Sequence, residues 1–245
     1  MAPDRAGRIR VIAETGSTNA DLVSVLKSGE RWPKGQWLVA DRQTAGKGRQ
    51  GRAWKSASGN FTGSTAVHLT GQEPPAASLS FVASLAIYEA LVGLLADPAV
   101  LQLKWPNDVM LNGGKASGIL LERHGDSAVV GIGVNLASAP DLPDRRTAAL
   151  ADFGPAPSRD DFAGLLAASF DKELVRWRQF GLEPILARWQ AAAHRLGTRL
   201  SVHDATGARL SGTFDGLDTD GALLLRLPDG SRRAIHAGDV MLEES

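Results

Sequence analysis

The chain has 245 residues, of which 43% are hydrophobic and 22% charged, a composition typical of globular proteins that argues against intrinsic disorder. It carries 27 Lys and Arg against 27 Asp and Glu, so no global positive field favours indiscriminate binding to nucleic acid or to anionic membranes. It has no Cys, which excludes disulfides, thiolate metal sites and a thioester intermediate.

Apolar segments give no sign of export or membrane insertion. The N-terminal residues up to Gly16 contain no apolar run of signal-peptide length. The longest apolar stretch, Leu79 to Leu95, is interrupted by polar side chains and predicts a buried helix rather than a membrane span. We therefore expect a cytoplasmic protein.

The first sixty residues predict a strand, a helix, a second strand and a long loop. The strand covers Arg8 to Ala13, and the helix opens at Thr18 to Asp21, which fits a capping box, and is closed by Gly29. Trp37 to Ala40 predicts the second strand. The polar, Gly-rich stretch from Asp41 to Asn60 shows no regular element, and loops of this length in compact domains are usually functional or disordered.

The central region predicts a strand at Ser64 to Leu69, a helix at Ser78 to Ala96 and then a run of short strands. Asn112-Gly113-Gly114 predicts a hairpin turn, because these residues tolerate the positive φ of tight turns. The short strands are expected at Leu101 to Lys104, Val109 to Leu111, Ala116 to Glu122 and Ala128 to Val134.

The remaining chain predicts a loop at 137–157, two helices at Ser158 to Phe180 and Pro184 to Arg195, and then short strands separated by turns. The turn signals are Ala205-Thr206-Gly207, Asp218 to Gly221 and Pro228-Asp229-Gly230. We therefore expect an α+β fold: a domain over 1–195 with a mixed β-sheet and flanking helices, and a small β-barrel domain over 196–245.

A basic loop, Gly46-Lys47-Gly48-Arg49-Gln50-Gly51-Arg52, alternates glycines with cations and suits a polyanion such as a triphosphate. It contains G-x-G-x-x-G, but no helix pattern follows and the region near Gly71 offers only Glu73, so we reject a dinucleotide-binding fingerprint. A Walker A loop is absent from the sequence. A solvated basic loop or an RNA-contacting loop remains an alternative.

A second charged segment is Lys104-Trp105-Pro106-Asn107-Asp108, where proline ends one strand before the next begins. Asp108 is expected to project from a strand end, where a carboxylate can hold Mg²⁺ beside phosphate oxygens; an Asx turn is the alternative. Lys115 follows the hairpin turn. A lone lysine there is usually solvated, and it gains interest only if the other charged segments converge on it.

Two further segments offer polar groups. Ser17-Thr18-Asn19 begins the first helix and either caps it or binds a polar head group. The strand Gly131 to Leu136 has two glycines, which indicate a close approach of backbone or ligand, and Asn135 is its polar side chain. The five histidines lack metal-ligand spacing, so we expect no transition-metal site.

Taken together and in this order, these motifs resemble the signature of biotin protein ligases. The resemblance covers Ile9 to Leu136 strongly, and the tail is loosely similar to the family's small SH3-like C-terminal domain. It implies a class II synthetase-like biotin/lipoate ligase catalytic domain. The motifs that carry it are Ser17-Thr18-Asn19, Gln43 to Arg52, Lys104 to Asp108, Lys115 to Leu120 and Gly131 to Asn135.

The resemblance implies a two-step reaction in which biotin and MgATP form biotinyl-AMP, and biotin then passes to a lysine of an acceptor protein. It assigns Lys115 and Arg49 as catalytic residues and places Mg²⁺ near Asp108. It implies biotin contacts from Ser17, Thr18, Asn19, Gln43, Lys47, Gly48, Arg49 and Lys115. It implies ATP contacts from Arg49, Arg52, Trp54, Asn107, Lys115 and Asn135.

The chain begins only sixteen residues before Ser17, so it resembles the ligase-only class without a DNA-binding domain, and we expect no DNA partner. The implied partner is the biotin carrier domain of acetyl-CoA carboxylase or a related carboxylase, and a homodimer is left open. Lys47 and Gln50 stand where the family often has arginines, and 61–64 departs from the family's usual Leu-Tyr type sequence.

Two alternative functions follow from the same residues. The first is a lipoate or octanoate transfer enzyme of the same fold, but those proteins carry paired arginines before a Ser-Gly-Gly-Gly run that this sequence lacks. The second is a non-catalytic nucleic-acid-binding module that uses the basic loop. The neutral net charge and the single nearby aromatic residue, Trp54, argue against it.

Overall fold

A computed structural model describes residues 7–55, 57–203 and 209–242. Within these ranges the chain forms two β-sheets and four α-helices. The helices are α1 (Thr18–Lys27), α2 (Leu79–Val92), α3 (Arg159–Phe180) and α4 (Glu183–Ala192). No helix in the described ranges has the length and apolar character needed to cross a membrane.

The larger sheet has seven strands in the order β1-β2-β3-β7-β6-β5-β4. β1 and β2 are parallel and all other neighbours are antiparallel, so the sheet is mixed, as predicted. Its strands are β1 (Ile9–Thr15), β2 (Trp37–Gln43), β3 (Phe61–His68), β4 (Leu101–Lys104), β5 (Asp108–Leu111), β6 (Gly114–His124) and β7 (Ser127–Val134).

Helices cover both faces of this sheet. The helix α2 is predominantly apolar, and ten of its fourteen residues are buried between the sheet and the helices α3 and α4, which is typical of a helix at the centre of a core. The indole nitrogens of Trp177 and Trp189 donate to Ser78 and Ser84 at 2.7 and 3.0 Å, so the polar groups at this junction are paired. On the opposite face, α1 packs through Leu22 and a smaller apolar cluster.

The start of α1 differs from the predicted capping box. Ser17, not Thr18, is the residue before the helix, and its hydroxyl accepts from the backbone N–H of Ala20. The carboxylate of Asp21 accepts from the Thr15 hydroxyl at 2.6 Å instead of reaching back to a capping residue. Since Ser17 caps the helix, Thr18 is free to take part in the contacts described below.

The second sheet has five antiparallel strands in the order β11-β10-β9-β8-β12. They are β8 (Arg199–His203), β9 (Arg209–Leu217), β10 (Leu223–Arg226), β11 (Arg232–Ile235) and β12 (Asp239–Leu242). The expected turn at 205–207 lies outside the described residues. The expected division into 1–195 and 196–245 falls between α4 and β8 and stays a prediction about the domains.

Hydrogen bonds between side chains and backbone dock the second sheet onto the first. Trp105 Nε1 donates to the carbonyl of Gly221 at 3.0 Å, and Lys104 Nζ donates to the carbonyl of Val240 at 3.2 Å. Gly221 has φ +85°, and a Cβ there would lie 2.5 Å from the Phe81 ring, so this close approach requires glycine. The docking brings β12 beside the 104–108 segment.

Candidate active site

A cavity of about 960 Å³ lies on the α1 face of the large sheet and is bounded on one side by β12. All thirteen residues predicted for the site line it, although they come from segments far apart in the sequence. They are Ser17, Thr18, Asn19, Gln43, Lys47, Gly48, Arg49, Arg52, Trp54, Asn107, Asp108, Lys115 and Asn135. The fold therefore brings the charged and polar motifs together around one space.

One end of the cavity has a neutral hydrogen-bonded floor. Gln43 Oε1 accepts from the backbone N–H of Thr18 at 2.8 Å, and the Thr18 hydroxyl lies within reach of both Gln43 Oε1 at 3.0 Å and Ser64 Oγ at 2.7 Å. Ser64 donates to Asn19 Oδ1 at 2.6 Å. Ser64 was not among the predicted site residues; it shares a face of β3 with Ala66, which packs in the apolar cluster of α1.

Glycines on the central strands make room for the floor. A Cβ at Gly131 would lie 2.2 Å from Asn19 Oδ1, and a Cβ at Gly133 would lie 2.2 Å from the Trp54 ring. Such distances do not occur between real atoms, so both positions need glycine in this arrangement. The two glycines flagged in the sequence thus mark close approaches of Asn19 and Trp54 to the sheet.

Lys115 lies between the neutral floor and a cationic flank, which is formed by Arg49, Arg52 and Lys104. Its Nζ is 2.6 Å from Asp108 Oδ1, and Lys104 Nζ is 3.5 Å from Asp108 Oδ2. The three side chains are mostly buried, with exposed fractions of 13–18%. Asp108 holds the Lys115 ammonium at the junction of the two regions.

The carboxylate of Asp108 fits poorly with the metal role expected from the sequence. Each of its oxygens faces a lysine, and no group of three or more His, Asp or Glu side chains suited to a metal ion occurs among residues 7–55, 57–203 and 209–242. Mg²⁺ favours carboxylate oxygens that are free to coordinate. The geometry favours ion pairing over metal binding for Asp108.

The basic loop (46–52) is folded back as a short hairpin over the cavity. The backbone N–H of Gly48 donates to Arg52 O at 2.7 Å, and that of Trp54 donates to Gly46 O at 2.9 Å. A 3₁₀ turn at Arg49–Gly51 lies at its tip, where the sequence had predicted no regular element. Arg49 Nη1 donates to Asn107 Oδ1 at 3.2 Å, which ties this tip to the segment after β4.

The second sheet also contacts the basic loop. Arg52 forms an ion pair with Asp239 at the start of β12. Burial by itself would raise the pKa of Asp239, but the hydrogen bond and charge of Arg52, helped by Arg49 and Lys104, outweigh burial and hold the pKa below its ordinary value. No local sequence pattern indicates a site role for Asp239, because it lies almost two hundred residues from its partner.

Asn135 presents an unpaired acceptor. Its Nδ2 donates to the carbonyls of Lys115 and Ala148 at 3.4 and 3.1 Å, whereas its buried Oδ1 has no hydrogen-bond partner within the described part of the chain. Nearby, the buried Asn60 Oδ1 accepts from the three successive backbone N–H groups of 136–138 and fixes the chain after β7. Asn135 can therefore accept from a ligand N–H or O–H.

The charge of the cavity contrasts with the neutral chain. Eight Lys and Arg side chains line it against three Asp. They are Lys47, Arg49, Arg52, Lys55, Lys104, Lys115, Arg145 and Arg146, opposed by Asp108, Asp144 and Asp239. Four of these cations, at 55, 104, 145 and 146, had not been predicted as site residues, and the excess of positive charge suits a polyphosphate.

Comparison with known proteins identifies the family to which a chain with this mixed sheet and cavity belongs. The biotin/lipoate A/B protein ligase family model matches residues 12–137, and the model of the biotin protein ligase C-terminal domain matches residues 202–242. The chain belongs to the biotin/lipoate A/B protein ligase family. The resemblance inferred from the motifs is confirmed, and so is the fold class.

Within this family, the chain is similar to proteins that are named as biotin ligases. A biotin–[acetyl-CoA-carboxylase] ligase of Paracoccus denitrificans is 42% identical over 94% of this chain and 98% of its own length. A protein of the same name from Mycobacterium tuberculosis is 35% identical over 96% of this chain and 88% of its own length. The solved biotin protein ligase of Aquifex aeolicus in complex with biotin and ATP superposes with a TM-score of 0.84 at 25% identity, covering 96% and 99% of the two chains.

Proposed function

We propose that this protein is an ATP-dependent biotin–protein ligase, which forms biotinyl-AMP and transfers biotin to a lysine of a carboxylase carrier domain. The observation that carries the proposal is the division of one cavity into a neutral hydrogen-bonding floor and a cationic flank, with Lys115 between them. The names of the full-length relatives support the same activity.

The floor suits the ureido ring of biotin. Gln43 Oε1 already accepts from Thr18, so this side chain has its Nε2 donor left for a ligand. Asn19 Nδ2 already donates to Glu122 and to the carbonyl of Leu120. Asn19 Oδ1 accepts one hydrogen bond, from Ser64, so its second lone pair is left for a ligand. The ureido ring has a carbonyl oxygen that can accept from Gln43 Nε2, and it has N–H groups that can donate to Asn19 Oδ1.

The same floor argues against a lipoate or octanoate substrate. A dithiolane ring or an alkyl chain has no N–H or carbonyl to pair with these groups, and buried polar groups left unpaired cost roughly 1 to 3 kcal/mol each. Biotin is therefore the acyl substrate that the described side chains favour.

In the first step, the biotin carboxylate oxygen attacks the α-phosphorus of ATP, the bond to the β-phosphate oxygen breaks, and pyrophosphate leaves with the electron pair. Lys115, held by Asp108, lies where the carboxylate and the α-phosphate would meet, and its charge stabilises the negative charge that builds there. Arg49 and Arg52 in the basic loop add charge toward the phosphates. Asn135 and Trp54 bind the nucleoside.

In the second step, the neutral amine of the acceptor lysine attacks the acyl carbon of biotinyl-AMP, the acyl C–O bond breaks, AMP leaves and the amine gives up a proton. The basic loop covers the adenylate in the meantime and excludes water, which would hydrolyse the mixed anhydride. Positioning and charge neutralisation carry both steps, so no protein nucleophile is required.

The finer assignments belong to the same proposal. MgATP is the nucleotide substrate, and we derive no step from a protein-held Mg²⁺ because Asp108 is ion-paired. The acceptor is the biotin carrier domain of acetyl-CoA carboxylase or a related carboxylase, and the reaction takes place in the cytoplasm. A monomer contains the whole cavity described above, so the proposal does not depend on a homodimer.

A direct assay tests the proposal. The pure protein is incubated with biotin, MgATP and a carrier domain, and the mass of the carrier is measured. We expect one biotinyl group per carrier, dependent on ATP, and preference for biotin over lipoate in competition. An unchanged mass with a carrier that a known ligase can modify would contradict the proposal, and salt-sensitive RNA binding without ATP turnover would favour a nucleic-acid-binding module.

A further inference from the structure

The carboxamide of Asn19 has two ends of similar size but opposite hydrogen-bonding character. Its nitrogen donates and its oxygen accepts, so the end that faces the cavity decides which ligand group can bind there. The side chain is 4% exposed and lies flat against Gly131, where a Cβ would come within 2.2 Å of Oδ1. Only a half-turn of the amide separates the two arrangements, and neighbouring groups must select one.

The hydroxyls beside Asn19 cannot make this selection. Ser64 Oγ lies 2.6 Å from Asn19 Oδ1 and 2.7 Å from Thr18 Oγ1. A hydroxyl can donate or accept, so a chain of two hydroxyls accommodates either orientation of the amide by rotating its protons. The direction of the chain has to be set elsewhere.

Glu122 provides a group with a fixed role. Its carboxylate can only accept, and Oε2 lies 2.8 Å from Asn19 Nδ2, with the carbonyl of Leu120 as a second acceptor at 3.4 Å. A flipped amide would place its oxygen against a carboxylate. Glu122 thereby directs Asn19 Nδ2 away from Ser64, so that Ser64 donates to Asn19 Oδ1 and accepts from Thr18.

We propose that Glu122 is a positioning residue for ligand recognition, which sets the direction of the hydrogen-bond chain Glu122–Asn19–Ser64–Thr18. Glu122 is exposed near the end of β6 and does not line the cavity, so it acts through Asn19. The inference rests on the proposed function, in which the second lone pair of Asn19 Oδ1 accepts a ureido N–H of biotin.

Three substitutions of Glu122 distinguish the effect of its accepting oxygen on the direction of the hydrogen-bond chain from the effect of its charge. Calorimetric titration should show that Glu122→Ala weakens biotin binding about tenfold, the order expected for losing one hydrogen bond to a charged group. Glu122→Gln keeps an accepting oxygen and should bind within about twofold of wild type. Glu122→Lys can only donate, which reverses the chain, and should weaken binding at least as much as alanine.

Further readouts exclude a general structural effect. The KM for ATP and the melting temperature should stay unchanged in Glu122→Ala, because the residue is exposed and remote from the cationic flank. In an Asn19→Ala background, Glu122→Ala should have no additional effect on biotin binding, because the carboxamide through which Glu122 acts on the ligand is already absent. Glu30→Ala is the matched control, since Glu30 is exposed and also accepts one side-chain hydrogen bond, from Ser28.

Specific results would overturn the inference while leaving the proposed function intact. These are biotin binding by Glu122→Ala as tight as wild type, equal losses in the glutamine and alanine variants, or a full penalty in the Asn19→Ala background. A wild-type protein that does not bind biotin would overturn the proposed function and this inference together.

Discussion

At the scale of single residues, the site is organised by the position of one ammonium group. Lys115 lies on β6 between the neutral floor and the cationic flank, and the ion pair with Asp108 fixes its Nζ. The local sequence pattern showed only a lysine after a hairpin turn, and the catalytic role expected for Lys115 came from the family resemblance. Its position in the site comes from the fold, which brings segments 46–52 and 104–108 to the same cavity.

We expect Lys115→Ala to lower the rate of biotinyl-AMP formation by roughly 10²- to 10³-fold, the range for removing one preorganised group that stabilises developing charge. The measurement is biotin-dependent exchange of labelled pyrophosphate into ATP. Lys172→Ala, which removes an exposed lysine from α3, serves as control and should retain full activity. A rate for Lys115→Ala within threefold of wild type would show that its charge is not used in the transition state.

At the scale of elements, the basic loop acts as a lid because contacts at several points hold it down. Backbone hydrogen bonds fold the loop back on itself, Arg49 reaches Asn107, and Arg52 reaches Asp239. Ordering seven backbone residues costs very roughly 7 to 14 kcal/mol, and single charged hydrogen bonds return only about 1.5 to 3 each, so the loop needs several contacts together.

Arg49→Gly should open this lid and let biotinyl-AMP escape. The expected result is biotin on bystander lysines of an unrelated protein such as albumin, detected with a streptavidin blot in the presence of MgATP. Arg31→Gly, a substitution in an exposed residue outside the cavity, should label only the carrier domain. If Arg49→Gly also labelled only the carrier domain, the basic loop would not act as a lid.

Sequence periodicity predicted most of the elements, because apolar residues recur at helical or strand spacing. It placed α3 and β4 to within a residue, but it could not place the 3₁₀ turn at Arg49–Gly51, which depends on contacts with Asn107 and β12. Local pattern also assigned the cap of α1 to Thr18 instead of Ser17. The residues that the sequence missed, Ser64, Glu122 and Asp239, contribute through partners far away in the chain, which no local pattern records.

At the scale of the whole molecule, the two sheets meet at a junction that contains a mostly buried titratable group. His194 lies just after α4, beside the contact between Ala193 and Leu103. Burial lowers the pKa of His194 to about 4, with a smaller contribution from the charge of Lys104, and its Nε2 has no hydrogen-bond partner among the described residues. The folded protein therefore keeps this imidazole neutral.

This shift predicts loss of stability in weak acid. Because the pKa is lower in the folded state than in the unfolded state, the unfolded chain gains a proton first, and stability falls as the pH drops from about 6.5 towards 4. Between pH 7 and pH 5 we expect wild type to lose roughly 1 to 2 kcal/mol more than His194→Gln, measured by urea unfolding. Equal losses in both proteins would show that His194 does not carry this pH dependence.

The glycine-built floor restricts how the substrate range could be changed by mutation. A larger residue at Gly131 or Gly133 would collide with Asn19 or Trp54 and displace it from the sheet, whatever ligand is bound. Libraries aimed at enlarged biotin analogues would therefore do better to keep both glycines and vary other side chains that line the cavity, such as Leu142 and Met241. The strand that carries both glycines, β7, would then keep its sequence in every variant of the library.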